Sequence, residues 1–94
     1  MRSYASIYND LIEHSNNSGQ SMVSEDEVSR FLSNVNIQRA QNIQAPPAIG
    51  TAQEQKAVHD KILKLMIMNQ SASKALKNDL PEIHKEKTEY MKNG

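Results

Sequence analysis

The residues able to do acid–base or metal chemistry are three histidines, His14, His59 and His84, and the carboxylates near them. An imidazole can act as base or metal ligand near neutral pH, but it needs a second group aimed at the same atom. His59 and Asp60 are adjacent, so on a helix they point about 100° apart and do not converge. His84 and Glu86, two residues apart, do no better. Glu82, Glu86 and Glu89 share a face with Lys85 interleaved, the pattern of a solvated, salt-laced helix surface. The absence of cysteine excludes a disulfide framework, a thiolate zinc site, an iron–sulfur cluster and a cysteine nucleophile. The only glycines are at 19, 50 and 94, so no glycine-rich phosphate loop exists. The chain is expected to be no enzyme, with no metal, no cofactor and no small-molecule substrate.

Asn16, Ser18, Gln20 and Glu27 fall at four ligand positions of a twelve-residue calcium loop, and this segment resembles a degenerate EF-hand. Ser21 stands where such a loop carries glycine, and Glu27 alone brings charge, so calcium binding is expected to be weak or absent. A capping box, Ser24 with Glu27, accounts for the same residues without a metal.

The formal net charge is zero, so no global field holds a phosphate backbone. Residues 1–50 carry −2 and residues 51–94 carry +2. A helix-turn-helix reading would make SEDEVSRFLSNVNI the first helix and NIQRAQNIQ, with Arg39, the reader of base edges. The acidic first half and the lack of a turn signal between the two argue against it. A small DNA-binding regulator is kept as the alternative function.

These residues must be positioned by helices, because the apolar spacing is helical throughout and no strand pair is visible. Tyr4, Ile7, Tyr8, Leu11 and Ile12 predict a helix over 4–14. Ser24 opens a second, with Val28, Phe31, Leu32 and Val35 as its buried stripe, carried to 42. Residues 44–50 hold Pro46 and Pro47 and predict a rigid elbow between two helical halves. Thr51 and Glu54 form another capping box and open the longest helix, 52–78. Pro81 starts a last helix, 81–91, with Ile83, Tyr90 and Met91 as a thin stripe. The expectation is an all-α single domain of about four helices, 4–14, 24–42, 52–78 and 81–91, with the third as spine.

Leu, Ile, Val and Phe number 19 of 94 residues, a thin core for a folded domain. Yet the stretch ILKLMIM, 62–68, is apolar around most of its circumference, as in a helix that is central or shared between chains. Leu63 and Ile67 lie opposite the main stripe, with Met66 at that stripe's edge and Met68 between the two sides. Asn69 sits in the middle of that stripe, where a polar residue can set register against a facing helix. Leu63, Met66, Ile67, Met68 and Asn69 are therefore the candidate partner interface, for a second copy or another protein, unless other helices of the same chain cover both sides. The expected function is a non-catalytic, methionine-rich helical interaction module: an adaptor, chaperone-like cofactor, assembly subunit or inhibitor. No apolar run approaches a membrane span and the first residues lack a signal-peptide core. The default compartment is the cytoplasm, with signal-independent export left open.

Overall fold

The computed structural model describes residues 2–19, 22–35 and 50–93. Among them the chain is all-helical: α1 (Tyr4–Asn17), α2 (Glu25–Asn34), α3 (Ala52–Met68), α4 (Gln70–Leu76) and α5 (Pro81–Asn93). Among the described residues there are five helices where about four were expected.

The Ser3 side chain caps α1 by accepting from the Ser6 amide. Ile7 and Leu11 are its fully buried face. The helix runs a turn beyond residue 14, because Ser15 serves as a buried clamp rather than a turn former. Its hydroxyl accepts from the Met22 amide at 2.7 Å and the Val23 amide at 2.9 Å, and donates to the Val23 carbonyl at 3.4 Å. Gly19, at φ +88°, then supplies the left-handed residue past the helix end.

In α2 the capping box forms as the spacing predicts. The Ser24 hydroxyl accepts from the Glu27 amide at 3.2 Å, and the Glu27 carboxylate accepts from the Ser24 amide at 3.1 Å. The helix does not reach 42. It stops at Asn34, with Val35 extended at φ −90° and ψ 157°. The apolar phase is lost there, since Ile37 and Ile43 are out of step with the stripe. Residues 36–49, which include Arg39 and all but the last residue of the elbow, lie outside the described residues.

Thr51 and Glu54 close the second capping box, at 3.1 and 3.0 Å, and open α3. Val58, Ile62, Leu65 and Met66 are buried along it. The expected continuous helix 52–78 is broken at Asn69. That residue has extended backbone, φ −130° and ψ 102°, and its side-chain oxygen accepts from the Ala72 amide at 3.0 Å. Asparagine competes for local backbone donors in this way, which favours caps over helix interiors. Asn69 thus ends α3 and caps α4, rather than setting register in the middle of a long seam.

The bend lets α4 rest on α1 as well as on α3, while α2 and α5 flank α3. α2 runs antiparallel to α3: Lys61 meets Glu27 at 2.7 Å and Arg30 meets Glu54 at 3.2 Å, in opposite chain directions. One cluster results, joining Ile7, Leu11, Val28, Leu32, Ile62, Leu65, Leu76 and Ile83. Arg2 ties the ends together. Its guanidinium donates to Asp79, to Asp10 and, at 3.3 Å, to the Ala75 carbonyl.

Ser15→Ala should leave two buried amides without an acceptor, a loss of about 1–3 kcal/mol. Chemical denaturation should show it, with helix content of the folded state unchanged.

Candidate protein-interaction surface

The structure separates the expected interface residues by depth. Met66 is fully buried, so it belongs to the intramolecular core. On the helical wheel it lies at the edge of the buried stripe, and α3 is covered on more than one side. Leu63 is half-buried and packs on the core cluster. Ile67 is half-buried, and Asn69 is used as a cap. Met68 stands out at 64% exposure.

Two further apolar side chains stay in solvent. Tyr90 is 59% and Met91 56% exposed, on the last turns of α5. The spacing predicted them as a packed stripe with Ile83. Only Ile83 is buried so, and the face is completed by Lys87 instead. With Met68 they are, among the described residues, the large apolar groups left uncovered.

Lys87 is 8% exposed. Its ammonium donates to the Ser73 hydroxyl at 3.0 Å and to the Gln70 side-chain oxygen at 3.4 Å. The described ion pairs include none for it. Ser73 beside a lysine has the types of a nucleophile and its base. Ser73 is only 2% exposed, however, so a substrate has no approach to its oxygen. The pair clamps α5 to α4. Burial, with the charges of Lys77 and Lys87 adding to it, holds the His84 imidazole below its ordinary pKa.

His59 finds a partner that linear spacing does not reveal. Its Nε2 lies 2.5 Å from Glu86 Oε2, across the α3–α5 interface, and its ring is 6.2 Å from that of Phe31. Both sit in an open cleft of about 360 Å³ with Val35, Gln55, Lys56 and Asp60 on its walls. Charges of both signs line it, and among the described residues no set of three metal-binding side chains converges. Of the calcium-loop candidates, the Ser18 hydroxyl donates to the Ser15 carbonyl at 2.7 Å and Glu27 is engaged by Ser24 and Lys61, while Gln20 lies outside the described residues.

Across the α2–α3 interface, partial burial pushes the Glu27 carboxyl up. The Lys61 ammonium and the Ser24 amide outweigh it and hold it below its ordinary value of 4.5. Glu54 is held low by the Thr51 amide and hydroxyl, with Arg30 adding to it. No helix of the described residues is long and apolar enough to cross a membrane. Comparison of the chain with protein-family models, curated sequences and solved structures yields no match.

Two outcomes are expected. A carboxyl whose folded value lies below its unfolded one stabilises fully above the unfolded value and loses that contribution as pH falls toward the folded value. Stability should therefore fall as pH drops below about 4.5, and Glu27→Gln should make that decline shallower in denaturation curves at stepped pH. Lys87→Met keeps the stem and removes a buried charge that has only neutral partners. Its melting temperature should equal or exceed that of wild type.

Proposed function

We propose that the protein is a non-catalytic interaction module that docks an apolar partner surface through exposed helix ends. The single observation carrying this reading is the exposure of Met68, Tyr90 and Met91 in a chain with so few large apolar residues. A thin core would gain from burying them, and the fold instead closes around Met66 and leaves them out. Methionine suits the role, because its unbranched, polarizable side chain adapts to irregular surfaces. Tyrosine adds a large rigid contact with a polar tip. Half-buried Ile67 lies beside Met68 and would extend the same contact. The partner is a protein whose apolar face accepts helix termini, such as an amphipathic helix.

The alternative, a helix-turn-helix DNA binder, would place its second helix in residues outside the described set. Within α2, Arg30 is engaged by Asp26 at 2.9 Å and by Glu54, so it does not offer a free cation to phosphate.

The test is a triple variant, Met68→Asp with Tyr90→Asp and Met91→Asp. These side chains contribute little to the core, so the melting temperature should stay within a few degrees of wild type. Wild type purified from its native host should carry a partner at fixed stoichiometry, and the variant should lose it. A partner retained by the folded variant would remove the reading, as would a wild type that carries none. A salt-dependent mobility shift with duplex DNA would favour the alternative instead.

A further inference from the structure

The break between α3 and α4 is one residue long. On either side the apolar positions are in phase: Val58, Ile62, Leu65, Ala72 and Leu76 form one stripe if 52–76 is read as a single helix. Asn69 itself has backbone angles that any residue adopts. Its amide donates to the Leu65 carbonyl at 2.8 Å, and its carbonyl accepts from the Ser73 amide at 3.1 Å, as both would in a continuous helix. What the bend lacks is the set between. The carbonyls of Met66, Ile67 and Met68 close one helix and the amides of Gln70, Ser71 and Ala72 open the next, the groups that helix ends leave without an intrahelical partner. The Ala72 amide goes to the Asn69 side chain instead. Rotation about one residue would form all three bonds and make a straight helix of about 37 Å.

Straightening carries α4 away from α1 of its own chain. That would bare Ala72 and Leu76 on one side and Ile7 and Leu11 on the other, all now buried. A second copy opened in the same way offers the missing halves.

We propose that Asn69 is the hinge of a domain swap between two copies of this chain, in which residues 70–93 exchange. α4 then packs on the partner copy's α1, and α5 on its α3. The bonds from Arg2 to Asp79 and from His59 to Glu86 re-form between copies, and those from Lys87 to Ser73 and Gln70 travel with the exchanged unit. No new complementary surface is required, because the interface is the one already closed within the monomer. The balance shifts only by the two lost Asn69 caps, the regained helical bonds and the entropy of association, so protein concentration controls it. This swap does not depend on the docking surface above: Met68 substitutions test that reading and Asn69 substitutions test this one.

The experiment refolds the chain from denaturant at micromolar and at millimolar concentration, and separates the products by size exclusion with light scattering. The absence of cysteine permits a clean spin-label pair through Lys56→Cys and Lys74→Cys, diluted with unlabelled chain before refolding. Wild type should yield a dimer after concentrated refolding. In that dimer the labelled positions should lie about 27 Å apart along a straight helix, farther than in the monomer. Asn69→Leu removes the cap and favours the continuous helix, and should raise the dimer fraction about tenfold or more at fixed concentration. Asn69→Gly keeps a tolerable cap and disfavours the continuous helix, and should remain monomeric. A folded, monomeric Asn69→Leu would overturn the proposal. So would a dimer that keeps the monomer's label distance, since that would be a surface contact without exchange. If Asn69→Leu does not fold, wild type decides, and refolding at millimolar concentration to monomer alone rejects the swap.

Discussion

The side chains of Ile62, Leu65 and Met66 are fully buried and consecutive on the α3 surface, and covering them is the constraint behind every other placement. With half-buried Leu63 and Ile67 the apolar arc runs over more than half a circumference, which one flanking helix cannot hide. α2 covers one flank, α5 another, and α4 folds back at Asn69 to bring Ala72 and Leu76 into the same cluster. α1 closes over α2 and α4 with Ile7 and Leu11. Each flanking helix is short, and none would hold its shape alone in water. Their order comes from burial against α3 and from the capping residues Ser3, Ser24, Thr51 and Asn69.

Charge then fixes which helices meet. Across α2 and α3, Glu27 meets Lys61 and Arg30 meets Glu54. Such exposed pairs contribute at most about 1 kcal/mol each, so they orient more than they stabilise. Lys87 is the opposite case. Its stem fills apolar space between α4 and α5 while its ammonium is met only by neutral oxygens. A bond of that kind is directional, and it sets how far along α4 the last helix sits.

Much of this architecture was legible in the residues, and the failures have physical causes. Both capping boxes, the all-helical class and the buried stripes of α1, α2 and α3 followed from spacing alone, since a cap or a stripe is a local property. The break at Asn69 left a trace, a polar residue in an apolar stripe, but one trace fits either a buried amide or a cap. Which of the two wins depends on whether α4 gains more from α1 than from continuing straight, and that is a tertiary balance. Tyr90 and Met91 were misplaced for the same reason. Their spacing does put them on the face of Ile83 and Lys87, but burial along that face ends at Lys87 and the last turns of α5 are exposed. His59 and Glu86, 27 residues apart, meet only because two helices cross. Of the candidate interface, the sequence distinguished apolar from polar but not inner from outer, so Met66 and Met68 looked alike.

The tether from Arg2 to Asp79 has a consequence for how the chain is made. Its two partners are separated by 77 positions, so the loop it closes spans most of the chain, and its entropy must be met before the contact forms. α1 likewise finds α4 only after residues 70–76 exist. During vectorial synthesis α1 therefore waits, its Ile7 and Leu11 face covered by no more than α2, until residues 70–79 have emerged. Until those residues arrive, α1 offers exposed isoleucine and leucine to any chaperone that reads them.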